Sequence, residues 1–122
     1  MSPTILTADD EDDLLGLLRV YLTRMGHTVV AAHDGEEALQ LAQEHLPALA
    51  ILDVSMPKLD GIEVTRRLRA IDATRELPIV LLSALVQPAD VERGISAGAS
   101  AYMRKPFTGA QLREQLAALL PK

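Results

Sequence analysis

The stretch Ala48-Leu49-Ala50-Ile51-Leu52-Asp53-Val54 is apolar at every position except Asp53. A strand that is apolar on both faces belongs inside a sheet covered on both sides, the place of a central strand in a parallel α/β sheet. Outward from it, shorter β-forming runs occupy residues 4–7, 28–32, 79–82 and 99–103. Between these runs apolar side chains recur at helical spacing. The first such stretch carries Leu14, Leu17, Leu18, Tyr21, Leu22 and Met25, and the second, over residues 36–44, buries Ala38, Leu39 and Ala42. Val64, Leu68 and Ile71 mark the third, Val91 and Ile95 the fourth, and Leu112, Leu116 and Leu119 the last. Gly26 and Gly98 fall where a left-handed residue ends a helix, and Asp34-Gly35 reads as a turn after the second strand. Pro88 suits a first helical turn, and Thr108 with Gln111 reads as a capping box. Short strands alternating with helices predict right-handed βαβ units and a single α/β layer sandwich.

Composition narrows the class further. At 122 residues the chain is one domain, residues 1–122, with 48% apolar residues for a core. Twelve Lys and Arg against 17 Asp and Glu leave a net charge of −5, and there are only one Phe, two Tyr and no Trp. An acidic chain so poor in aromatics lacks both the basic footprint and the stacking platforms of a nucleic-acid binder. No apolar run approaches the roughly 20 residues of a membrane span, and Met1 to Thr4 lacks the features of a signal peptide. The absence of Cys removes disulfides and thiolate chemistry and fits a cytoplasmic protein.

In an open parallel sheet, functional groups gather beyond the carboxyl ends of the strands. The first strand ends on Asp9-Asp10, the third on Asp53 followed by Val54-Ser55, the fourth on Ser83-Ala84, and the fifth on Tyr102 and then Lys105-Pro106. The second ends on His33-Asp34, which the topology can place at the edge of the sheet. Three converging carboxylates repel one another. A hard divalent cation relieves that repulsion, and carboxylate, water and phosphate oxygens suit Mg²⁺. Lys105 offers a compact charge for a phosphate oxygen, Ser83 offers a hydroxyl, and Asp53 becomes a candidate nucleophile for an aspartyl phosphate. Taken singly, Asp9-Asp10 read better as helix caps, Ser83 as a loop hydroxyl, Lys105-Pro106 as loop punctuation and Tyr102 as a packing aromatic. Asp53 alone has no packing reason, because it closes the most apolar strand. His27, His33 and His45 show no ligand spacing and read as surface residues.

The conjunction resembles the receiver domain of two-component response regulators over essentially the whole chain. The matching residues are Ile5-Leu6-Thr7-Ala8-Asp9-Asp10, Asp53-Val54-Ser55-Met56-Pro57-Lys58-Leu59-Asp60-Gly61, Leu82-Ser83-Ala84 and Gly98-Ala99-Ser100-Ala101-Tyr102-Met103-Arg104-Lys105-Pro106-Phe107. The resemblance implies a doubly wound (βα)5 flavodoxin-like three-layer sandwich with strand order 2-1-3-4-5. It implies phosphoryl transfer to Asp53 from a sensor histidine kinase or histidine phosphotransfer protein. Mg²⁺, with Mn²⁺ able to substitute, would sit on Asp9, Asp10, Asp53 and the main-chain carbonyl of Ser55. Lys105, joined to Pro106 by a cis bond, would pair with the phosphoryl group. Ser83 would move to bind the phosphate, Tyr102 would swing inward, and the surface of helix 4, strand 5 and helix 5 would change for a downstream protein target or an output domain. Dimerisation on phosphorylation belongs to the same expectation.

Some positions individualise the chain. Ser83 stands where Thr is more frequent, with the hydroxyl kept. Ser55 and Leu85, two residues after Asp53 and Ser83, occupy places that govern water access in the family; one is short and one apolar, so slow self-dephosphorylation is expected. In the acidic-headed first helix, either Leu14 or Leu15 is exposed as an anchor for a phosphotransfer helical bundle, or both are core. Three other functions compete. A haloacid-dehalogenase-like phosphohydrolase needs a general acid at position 55, which is Ser. An FMN carrier needs a hydroxyl- and glycine-rich phosphate loop where Asp9-Asp10 stand. A degenerate receiver acting only as a binding module would lack an acidic residue or the lysine, and all are present.

Overall fold

Described over residues 3–84 and 86–120, the computed structural model alternates strands and helices throughout. The strands are β1 (Thr4–Ala8), β2 (Thr28–Ala32), β3 (Leu49–Asp53), β4 (Ile79–Ser83) and β5 (Ala101–Arg104). The helices are α1 (Asp12–Arg24), α2 (Gly35–His45), α3 (Gly61–Arg69), α4 (Pro88–Ser96) and α5 (Gly109–Leu119), with a short 3-10 turn at Asp72–Thr74. All strand pairs are parallel and the order is β2-β1-β3-β4-β5, so β3 is central, as its sequence requires.

Alternation along the strands divides the core into two layers. Leu6, Ala8, Ala50, Leu52, Ile79 and Leu81 face Ala38 and Ala42 of α2 and Ile62, Val64 and Leu68 of α3. Ile5, Leu49, Ile51, Val80, Leu82 and Met103 face Leu18 and Leu22 of α1 and Leu112 and Leu116 of α5. Each such Leu, Ile, Val or Met side chain, fully buried, contributes about 1.5–3 kcal/mol of transfer free energy. Helix ends follow the local chemistry. Gly26 and Gly98 have φ of 92° and 111° after α1 and α4. Thr108 and Gln111 form the reciprocal capping box of α5, and Pro88 opens α4.

Several expectations shift. Asp34-Gly35 is a helix start rather than a free turn: the Asp34 side chain accepts from the Glu37 amide at 2.8 Å, and Gly35 is the first residue of α2. Strand β5 begins at Ala101 rather than 99, because the Ala99 amide still donates to Gly94 in closing α4. Leu17 and Ile95 are periodic yet 41% and 48% exposed, while Leu15 takes the buried place on α1. His33 and His45 are exposed, but His27 is half-buried with Nδ1 shielded from solvent. Among the described residues, no helix is long and apolar enough to cross a membrane.

Candidate functional site

Parallel register sets the site. Ala8 lies opposite Leu52, Asp53 opposite Leu82, and Ser83 opposite Arg104, so the carboxyl ends of β1, β3, β4 and β5 form one rim. Asp9, Asp10, Asp53, Ser55, Ser83 and Lys105 are all brought there. Asp10, Asp53, Ser55, Ser83 and Lys105 line one open pocket together with Glu11 and Ala84. Asp9 lies beneath them, fully buried, and Asp53 is 4% exposed, whereas Asp10 and Ser55 face solvent.

Every buried charge here has a partner. The Lys105 ammonium donates to Asp9 Oδ2 at 3.0 Å and lies 3.1 Å from Asp53 Oδ1. The other Asp9 oxygen accepts from the Glu11 amide at 2.9 Å. Lys105 is placed by its own backbone, whose amide donates to the Ser83 carbonyl at 2.8 Å, and its bond to Pro106 is cis. Phe107 then packs edge-on against Tyr21 of α1, with centroids 6.5 Å apart. Burial, and then the Asp9 charge, push the Asp53 carboxyl above its ordinary value against the opposing pull of Lys105. Burial works against the Lys105 charge, but its hydrogen bonds to Asp9 and Asp53 prevail and raise its pKa.

Asp9, Asp10 and Asp53 each offer an oxygen within 4.8 Å of the others. That is little wider than the ~4.2 Å between opposite oxygens around a cation held at ~2.1 Å. An all-oxygen, net-negative set of this kind fits Mg²⁺, and the acidic cluster fits the magnesium site of a receiver domain.

Tyr102 is half-buried on β5, with its ring against Gly94 of α4. Ser83 is 7% exposed at the end of β4. Leu85 lies outside the described residues. Two participants went unread in the sequence. Glu11 caps Asp9 through its amide and approaches Lys105 to 3.9 Å. Gly61 passes so close to β3 that a Cβ there would overlap the Asp53 main-chain carbonyl. Both contacts are spatial, and only the quoted Asp60-Gly61 pair hinted at the second.

Beside this pocket lies an apolar one lined by Leu14, Leu17, Ala84, Pro106 and Phe107, with Glu11, Asp13 and Lys105 at its edge. Leu15 is only 6% exposed, so the exposed large apolar side chains of α1 are Leu17 and Val20.

Sheet order and rim chemistry together define a class, the α/β signalling receiver. The family model for the response regulator receiver domain matches residues 5–117, and the chain belongs to that family. It is 42% identical over 120 residues to the alkaline phosphatase synthesis transcriptional regulatory protein PhoP of Bacillus subtilis, covering 98% of this chain and 49% of that protein. The chain thus spans about half the length of the curated relatives it matches. Its fold matches the chemotaxis protein CheY4 of Vibrio cholerae with a TM-score of 0.94 at 29% identity, covering 98% of this chain and 100% of that one. It also matches the receiver domain of a sensor histidine kinase from Pseudomonas aeruginosa, with a TM-score of 0.91, 29% identity and 98% of both chains covered. That neighbour holds a magnesium ion in its active-site cleft. Other curated relatives it matches include the transcriptional regulatory protein AfsQ1 of Streptomyces coelicolor and the response regulator GtcR of Aneurinibacillus migulanus.

Proposed function

We infer that this chain, over residues 1–122, is a Mg²⁺-dependent phosphoacceptor switch and that Asp53 is the residue phosphorylated. The observation that carries the reading is the Asp53 carboxylate, buried and yet open to a pocket it shares with Lys105 and Asp10, with the Asp9 carboxylate close beneath. A carboxylate oxygen of Asp53 attacks the phosphorus of a phosphohistidine on a histidine kinase or phosphotransfer protein. The N–P bond breaks, an O–P bond forms, and the histidine leaves as imidazole, taking a proton from solvent. Asp9, Asp10, Asp53 and the Ser55 main-chain carbonyl would hold Mg²⁺, with Mn²⁺ as a substitute. The bound cation supplies charge neutralisation of the phosphoryl oxygens. Lys105 neutralises a further phosphoryl oxygen as an ammonium. The Ser83 hydroxyl donates to another, and Tyr102 moves inward as Ser83 does, changing the α4, β5 and α5 surface.

The apolar pocket beside Lys105 supports docking of the partner's helical bundle over Leu14, Leu17 and Phe107; of the two leucines expected as anchor, Leu14 is half-buried and Leu15 covered, so the exposed Leu17 takes that part on α1. The changed surface is read by an output domain of the same polypeptide or by a separate protein target, with dimerisation as one means, in the cytoplasm. This module itself engages neither nucleic acid nor membrane. It turns over slowly: Ser55 is too short to orient a water at the acyl phosphate, and Leu85 offers no polar atom to do so. The same lack of a carboxylate at position 55 weighs against a phosphohydrolase.

Incubation with Mg²⁺ and acetyl phosphate, followed by intact mass, tests the reading. A gain of one phosphoryl group that disappears in Asp53→Ala supports it. Normal Mg²⁺ binding without phosphoryl gain would leave a binding module instead, and a phospho-form half-life of seconds would overturn slow turnover.

A further inference from the structure

The end of β2 carries no ligand of the acidic cluster, yet its turn touches both loops that do. The Ala32 carbonyl accepts from the Asp9 amide at 3.1 Å, and His33 Nε2 reaches Asp12 of α1 at 3.4 Å. On the other side, the Gly35 amide donates to the Pro57 carbonyl at 3.3 Å. Lys58 lies between Asp34 and Glu36 at 3.6 and 3.8 Å. The Glu37 amide foremost, and Lys58 after it, hold the Asp34 carboxyl below its ordinary value.

The segment being held is under strain. Lys58 has φ of 69°, and the Leu59 amide donates back to Pro57 at 2.8 Å, which makes residues 57–59 a γ-turn of the rare positive-φ kind. Such a turn persists only where its surroundings over-determine it. Gly35 supplies that constraint at close range, since a Cβ on it would overlap the carbonyl oxygen and Cβ of Leu59. Alanine at a first helical turn would otherwise favour the helix, so glycine here answers to the loop and not to α2.

We propose that the turn from His33 to Glu36, with Lys58, is a positioning brace that holds the β1–α1 and β3–α3 loops in register, so that Asp9, Asp10, Asp53 and the Ser55 carbonyl meet one Mg²⁺ ion. Gly35 and Lys58 are positioning residues and touch neither metal nor phosphoryl group. The inference rests on the metal site of the function proposed above and adds what regulates its geometry.

Calorimetric titration with MgCl₂ on the unphosphorylated protein decides it, because the sign for Lys58 separates a brace from a field effect. Acting only through its charge, Lys58 would repel the cation, and Lys58→Met would tighten Mg²⁺ binding. Acting as a brace, its loss weakens binding by about two- to fivefold, in line with a solvent-exposed ion pair. Gly35→Ala, which changes no charge, weakens binding roughly tenfold, as loss of support behind metal ligands does. Melting curves without Mg²⁺ accompany both variants, since a merely structural role would lower stability and leave the affinity alone. Unchanged or tighter Mg²⁺ binding in Lys58→Met overturns the brace, even where Gly35→Ala fails to fold. So does wild-type affinity in a folded Gly35→Ala. A wild-type protein that binds no Mg²⁺ overturns the metal site itself, a separate failure.

Discussion

Replacing Asp53 by Asn is expected to stabilise the metal-free protein, against the usual direction of substitutions at buried polar sites. Asp9 and Asp10 each present an oxygen within 4.8 Å of Asp53, and Lys105 lies at 3.1 Å. At an effective dielectric of about 20, the nearer repulsions are worth about 3.5 kcal/mol each and the lysine attraction about 5 kcal/mol. Asp10 is solvent-exposed and screened, so attraction and repulsion nearly cancel. Burial of the carboxylate then tips the balance toward the neutral side chain, which agrees with the raised pKa of Asp53. A net gain of about 1–2 kcal/mol corresponds to a melting temperature roughly 4–8 °C higher for a domain of this size.

Circular dichroism melts at neutral pH with chelator measure it. Saturating Mg²⁺ should reverse the order, because a site occupied at about 100 times its Kd adds about 2.7 kcal/mol to the wild type and little to the variant. Acidification should close the gap. The folded pKa of Asp53 lies above 3.8, so protonation relieves the folded state as pH falls through that value, and below 3.8 both proteins carry a neutral group. A variant that melts lower than the wild type in chelator would refute the account of the cluster as a frustrated, cation-awaiting site.

Lys105→Met should destabilise the metal-free protein by about 2–3 kcal/mol, less than the ~3–5 kcal/mol of a fully buried pair because the lysine is 16% exposed; urea unfolding measures this, and equal midpoints would contradict it. The Lys105 contribution is present below its unfolded pKa of 10.5 and lost as pH rises through its raised folded value, so an alkaline melt should show a step in the wild type that Lys105→Met lacks. Thr108→Ala removes the capping box of α5 and should cost about 1 kcal/mol while leaving phosphorylation by acetyl phosphate intact. Leu17→Glu places a charge on the exposed apolar face of α1; it should slow phosphorylation by a partner kinase and not by acetyl phosphate, and equal slowing of both would refute the docking surface.

Local chemistry carried much of the architecture. The apolar run ending in Asp53, the helical spacing around Leu18, Leu68 and Leu116, the glycines at 26 and 98 and the box at Thr108 are short-range signals, since they depend on what one backbone segment does by itself. Where prediction slipped, long-range packing was the cause. Leu15 and Leu17 both continue an apolar repeat, but only the packing of α1 on the sheet determines that Leu15 is covered and Leu17 left outside. Ile95 fits a helical stripe, yet it is left exposed while the neighbouring Gly94 is buried against Leu81 and Tyr102.

The sequence by itself determined the candidate chemistry: which strand ends carry carboxylates, a hydroxyl and a lysine, and that these suit a metal and a phosphoryl group. Tertiary structure decided which of them meet and in what state. Asp9 and Lys105 are far apart in the chain, and their 3.0 Å contact exists because parallel register aligns strand ends that no local pattern relates. Burial of Asp9 and Asp53 beside an exposed Asp10, and the hold of the β2–α2 turn on Lys58, are likewise products of packing. A charge has no environment until the chain has closed around it.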